Sequence, residues 1–126
     1  MPNILYGQGK NIKNEREDLY LDLYLPHDDS ISKRPVLVFM HGGGVVNGSR
    51  KTSVAQQVCK LFASKGYVTA SISYRLGIEV GKSKNDYAEA LYRAQQDGRS
   101  AIRFLKANAE EWGLDTSQFF IAGSSA

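Results

Sequence analysis

The sequence predicts an α/β fold built on a mostly parallel sheet with flanking helices. Three observations carry that expectation. Val36-Leu37-Val38-Phe39-Met40 is apolar at every position, the mark of an interior strand covered on both faces. Downstream, helical and strand periodicities alternate, which is the order of βαβ crossovers and hence of a parallel sheet. Length and composition suit one such domain: 126 residues, 42% hydrophobic and 23% charged, with no internal repeat or low-complexity linker.

Taken in order, residues 1–16 are polar and contain glycine, and read as a loose N-terminal lead-in to a partial domain spanning 1–126. Gly7-Gln8-Gly9 begins like a dinucleotide fingerprint, but position 12 is Ile12 and no strand–turn–helix context surrounds it. Leu19, Leu21, Leu23 and Leu25 alternate with Tyr20, Asp22 and Tyr24, the period of a strand with one leucine face buried. Pro26-His27-Asp28-Asp29-Ser30 is turn chemistry, so His27 reads as an exposed turn residue. After the 36–40 strand comes His41-Gly42-Gly43-Gly44, a loop at that strand's C-terminal end. Thr52 or Ser53 caps a helix with apolar positions Val54, Val58, Leu61 and Phe62, ending at Gly66. Tyr67–Tyr74 is the next strand. The longest helical pattern runs from about Asn85 to Trp112, through Ala88, Leu91, Gln95, Gly98, Ala101, Ile102, Leu105 and Ala109. Glu89–Arg93 and Lys106–Glu110 are i,i+4 pairs on its exposed side. Gly98, which costs roughly 1 kcal/mol inside a helix, marks a kink or a close helix–sheet contact. Gly113 ends the helix, Leu114-Asp115-Thr116-Ser117 turns, and Phe119-Phe120-Ile121-Ala122 is the last strand.

Composition narrows the function classes. The net charge of +3 is mild and its basic residues are scattered. Arg99, Arg103 and Lys106 recur at helical spacing and read as a solvated helix face rather than a nucleic-acid footprint. The single cysteine, Cys59, allows no intrachain disulfide and reads as a small hydrophobe on a helix flank. No stretch approaches the ~20 apolar residues of a membrane span. The N-terminus lacks a basic segment followed by an apolar core, so the default expectation is cytoplasmic, or secreted if an upstream signal peptide has been removed. Gly77-Ile78-Glu79-Val80-Gly81-Lys82-Ser83 has three residues between its glycines where a phosphate-binding loop needs four, so nucleotide binding is rejected. No cofactor and no metal are expected.

Two motifs carry chemistry. Three consecutive glycines after a buried strand let backbone N–H groups approach a ligand unobstructed. Acyl transfer needs such donors, because its tetrahedral intermediate carries an oxyanion. A merely flexible glycine loop is the alternative. At the far end, the apolar run 119–122 leads into Gly123-Ser124-Ser125-Ala126, which looks like the front of a Gly-x-Ser-x-Gly nucleophile elbow, where a serine on a tight strand-to-helix turn needs tiny neighbours. A small, flexible tail is the alternative there. Asn47-Gly48-Ser49 is a glycosylation acceptor pattern, or a turn.

These segments together resemble the carboxylesterases and lipases of the α/β-hydrolase fold. Residues Pro35–Gly44 with Asn47-Gly48-Ser49 are similar to that family's oxyanion-loop segment. Tyr74-Arg75-Leu76-Gly77 looks like its segment after the following strand. Asp97–Leu105, with Asn108, Gly113 and Asp115, resembles its helix leading to the elbow. The resemblance spans about residues 17–126. It implies Ser125 as nucleophile, oxyanion-hole N–H groups from Gly43, Gly44 and Ala126, and His41 as a support for the glycine loop rather than a base. Arg75 and Asp97 would form a structural ion pair beneath the site, or stand as separately solvated charges. The substrate would be a small-molecule carboxylic ester. Lipases, polysaccharide-decorating esterases and serine peptidases of the same fold stay open. The family's acid and histidine follow the nucleophile, whereas His27 and His41 both precede Ser125. The expectation is therefore the N-terminal part of an α/β-hydrolase, truncated at the nucleophile elbow and inactive alone. Its last strand would then be an exposed apolar edge. The alternative is a non-catalytic truncated module that binds a partner or a small acyl ligand.

Overall fold

A computed structural model describes residues 1–26, 33–44, 46–77 and 86–123. Five strands and three helices follow in the order β1 (Ile4–Lys10), β2 (Arg16–Tyr24), β3 (Arg34–Met40), α1 (Ser53–Ser64), β4 (Val68–Ile72), α2 (Asp86–Ala107), α3 (Ala109–Trp112) and β5 (Leu114–Gly123). They form one sheet in the order β1-β2-β4-β3-β5. The β3, β4 and β5 strands, separated in sequence by helices, run parallel. The β1–β2 and β2–β4 pairs are antiparallel, so the sheet is mixed.

The two sheet faces are divided between the helices. Val36, Val38, Val68, Ala70 and Ile72 pack with Leu19, Leu21 and Leu23 against Ala101 and Leu105 of α2. Phe39 packs on the opposite face against Ala55 and Cys59 of α1. With both faces covered, β4 is buried at every position, including Thr69 and Ser71, whose hydroxyls donate to the Cys59 and Arg50 carbonyls at 3.0 and 2.7 Å.

Several expectations are corrected. The lead-in 1–16 holds a strand, β1. Its glycines hide a strand pattern of which only Tyr6 is buried, and one of them makes room for a neighbour: a Cβ on Gly9 would lie 2.7 Å from the Arg75 guanidinium. The buried stripe of α1 is Ala55 and Cys59, while Val54 and Leu61 are exposed. The helix sits close to the sheet, so its small residues face inward and its larger ones do not. In α2 the inward positions are Ala90, Ala94, Asp97, Gly98, Ala101 and Leu105, whereas Ala88 and Gln95 are exposed. Asn108 divides the long helical pattern, its Nδ2 donating to the Phe104 carbonyl at 2.8 Å. Arg93 and Lys106 turn away from the expected i,i+4 partners: Arg93 donates to the Gly77 carbonyl at 2.9 Å, and Lys106 lies 5.4 Å from the Phe119 ring centre. Asp22, on the outward phase of β2, is buried. The last strand starts earlier than its apolar run, at Leu114, beside an irregular register at Arg34–Val36. Leu25 is exposed, beyond the end of β2.

Other expectations hold. Thr52 caps α1, its Oγ1 accepting from the Ala55 N–H at 3.3 Å. Gly113 ends α3 in the left-handed region at φ 65°. Gly98 marks a close helix–sheet contact, where an added Cβ would lie 3.3 Å from the Met40 sulfur. Among the described residues β5 pairs with β3 alone and forms a sheet edge, with Phe120 and Ile121 exposed. The stripe Arg99, Arg103 and Lys106 is exposed on α2. No helix among the described residues is long and apolar enough to cross a membrane.

Candidate active site

The parallel register of β3 and β5 sets Met40 opposite Gly123. Adjacent strands lie about 4.8 Å apart, so the C-terminal ends of β3 and β5 sit side by side at the same end of the sheet. The first continues as the glycine loop. The second continues as Ser124, Ser125 and Ala126, which lie outside the described residues, as do His27 and residues 78–83 of the rejected phosphate loop. Gly123 itself is tightly placed, since a Cβ there would lie 3.3 Å from the Met40 carbonyl oxygen.

The glycine loop is held from inside. His41 is 1% exposed, stacked on the Tyr74 ring with centroids 4.4 Å apart. Its Nδ1 donates to the Gly42 carbonyl at 2.8 Å, and its own carbonyl accepts from the Tyr74 hydroxyl at 2.5 Å. Burial pulls the imidazole below its usual pKa, against the Gly42 carbonyl, which favours the protonated ring. Burial pushes the Tyr74 phenol up, keeping it a donor. Gly43 and Gly44 adopt φ 128° and 64°, in the region that favours glycine. The Gly43 carbonyl accepts from the N–H groups of Val46 and Asn47 at 3.1 and 3.2 Å, closing the turn. Among the described residues neither the Gly43 nor the Gly44 N–H has an acceptor. Asn47-Gly48-Ser49 acts as turn chemistry here. Gly48 has φ 92°, and a Cβ on it would meet the Gly42 carbonyl and the His41 ring.

Arg75 and Asp97 form the ion pair, Nη2 to Oδ1 at 2.8 Å, with Asp97 almost wholly buried. The carboxylate also accepts the Arg75 backbone N–H at 2.7 Å, and Arg75 Nη1 reaches the Lys10 carbonyl at 3.1 Å. The pair thus ties α2 to the segment after β4 and to β1. An apolar cavity of about 260 Å³ opens beneath the ends of β3 and β5, lined by Met40, Tyr74, Leu91, Ala94, Ile121 and Gly123. Among the described residues no three His, Cys, Asp or Glu side chains cluster to hold a metal.

Sequence reasoning missed Tyr74 as a loop support. Its signal was the last apolar position of a strand pattern, and its partner lies 33 residues away. Gly48 was legible as a turn residue, but its packing against His41 was not.

The BD-FAE family model matches residues 21–126. Mouse (Mus musculus) pyrethroid hydrolase Ces2a is 34% identical over 116 residues, covering 91% of this chain and 20% of its own length. The propionate-bound structure of esterase 2 from Thermogutta terrifontis, a thermophilic esterase, superposes with a TM-score of 0.69 at 30% identity. That match covers 96% of this chain and 40% of the esterase. The same esterase has a structure phosphorylated by paraoxon, matched with a TM-score of 0.70 over 42% of its chain. The chain therefore spans about a fifth of the curated relative and two-fifths of the solved one. It belongs to the BD-FAE family, among the carboxylesterases of the α/β-hydrolase fold.

Proposed function

We propose that this chain supplies the nucleophile and the oxyanion hole of a serine carboxylic ester hydrolase. The observation that supports the reading is the Met40–Gly123 register, which sets the residue before the glycine loop opposite the residue before the serine segment. In the proposed mechanism the Ser125 Oγ attacks the ester carbonyl carbon, and its proton passes to a general base. The carbonyl oxygen becomes an oxyanion that accepts from the Gly43, Gly44 and Ala126 N–H groups. Such donors supply several kcal/mol when preorganised. The C–O bond breaks, the alcohol leaves with the proton, and an acyl-Ser125 remains for water to hydrolyse.

The general base would come from outside these 126 residues. His41 is sealed under the loop with Nδ1 committed to Gly42, and without a base the serine hydroxyl keeps its proton. The chain alone is accordingly proposed to be inactive. A short acyl group is the favoured substrate, because the solved relative is described with propionate bound. Reaction with organophosphates is expected on the same footing, since that relative is described as phosphorylated by paraoxon. The test is hydrolysis of a nitrophenyl propionate ester by the native protein. Loss of turnover, with no acyl burst, in Ser125→Ala supports the reading, and unchanged turnover excludes it.

A further inference from the structure

We infer that Arg50 is a positioning residue, a latch that fixes the far end of the glycine loop so that the Gly43 and Gly44 N–H groups stay aimed. This rests on the proposed function for its catalytic consequence, though not for its structural one. The guanidinium is nearly buried and uses all three nitrogens. Nε donates to Asp22 Oδ1 at 3.0 Å, Nη1 to Ser73 Oγ at 2.7 Å and Nη2 to Asn3 Oδ1 at 2.6 Å. The Arg50 carbonyl accepts from Ser71 Oγ at 2.7 Å. Lys51 Nζ reaches Asp22 Oδ2 at 3.0 Å, and the Asn3 N–H reaches Oδ1 at 2.8 Å.

The arrangement is more than a surface ion pair. Tyr74 holds the start of the loop through the His41 carbonyl, and Ser71 and Ser73 hold its end through Arg50. Both ends of residues 41–50 are thereby referred to one short stretch, 71–74, at the C-terminal end of β4. The glycines between have no side chains to pack, and glycine is the residue with most freedom to lose. Their aim therefore depends on where the two ends are fixed. A fork of fixed geometry fits this task, because a planar guanidinium with three separate acceptors leaves little room to pivot.

The test combines amide hydrogen exchange and kinetics in the native protein, with Arg103→Ala, on the exposed side of α2, as control. In Arg50→Ala, exchange at Val46 and Asn47, whose N–H groups close the turn on the Gly43 carbonyl, should rise roughly tenfold or more while the amides of Ala101 and Leu105 stay protected. The kcat for a nitrophenyl ester should fall between roughly ten- and a hundredfold with KM within about twofold, the signature of an interaction lost in the transition state. Arg50→Lys, which can keep the Asp22 contact but cannot reach all three acceptors, should fall between the two. Unchanged exchange at Val46 and Asn47 overturns the latch. So does a uniform rise across the chain, or a loss carried by KM. If Arg50→Ala does not fold, an Arg50→Lys protein with wild-type exchange at Val46 and Asn47 overturns it equally. If the parent protein has no Ser125-dependent turnover, the proposed function fails, and the exchange result still decides the latch.

Discussion

Gly43 and Gly44 both hold positive φ, yet their surroundings differ. A Cβ on Gly43 would lie 2.0 Å from the Asn47 carbonyl oxygen, a backbone atom that cannot yield without opening the turn. A Cβ on Gly44 would meet nothing within 4 Å. Gly44→Ala should therefore cost roughly 1–2 kcal/mol of backbone strain, and Gly43→Ala more than that, with the loop displaced. Urea unfolding of both variants checks this, and equal losses would contradict it. His41 makes a pH prediction. Its native pKa is lowered by burial, so the unfolded ring takes up a proton first, near pH 6.5. The unfolded state then binds more protons, and stability falls as pH drops through that value toward the lower native one. Unfolding midpoints between pH 7.5 and 5.5 (taken as a working range of about two units) should show this slope, and His41→Gln should flatten it. At this scale the family resemblance pointed to His41 as a loop support, and it offered Arg75 and Asp97 as an ion pair or as separately solvated charges, between which the structure decides for the pair. The sequence was silent on Tyr74, Asp22 and Arg50, because their partners are set by strand order.

Among the elements, α1 shows how packing overrides hydrophobic size. Val54 and Leu61 fit a helical stripe, but the face that meets the sheet carries Ala55 and Cys59. Close approach to Phe39 selects small residues there. One consequence is measurable. Burial pushes the Cys59 thiol up to about 11, and the thiolate is the reactive form. A disulfide reagent at neutral pH should leave Cys59 unmodified in native protein and label it fully in urea. Rapid labelling without denaturant would mean that α1 does not sit on the sheet as described. The strand β1 was illegible for a related reason. Tyr6-Gly7-Gln8-Gly9 has weak strand propensity alone, and it becomes a strand by pairing with β2 while Gly9 makes room for Arg75. By contrast β3 declared itself, because a strand buried on both faces needs an unbroken apolar run.

For the whole molecule, the alternation of strands and helices already implied the parallel β4-β3-β5 unit, whereas the antiparallel β1–β2 margin depended on pairing that no local pattern encodes. That unit ends in β5, with Phe120 and Ile121 about half exposed on an edge that is unpaired among the described residues. Unpaired strand edges with apolar side chains associate. The 126-residue chain should therefore self-associate with rising concentration in light scattering, and Ile121→Lys should suppress it. A chain that stays monomeric throughout would show the edge to be protected. The same unit sets Met40, the residue before the glycine loop, opposite Gly123, the residue before the serine segment, and the proposed site rests on that register. Its most direct test is to treat the native protein with paraoxon and locate the adduct by peptide mass spectrometry. The account predicts a single phosphorylated residue, Ser125, with labelling abolished in Ser125→Ala. Labelling that persists in that variant, or maps to another residue, would contradict it.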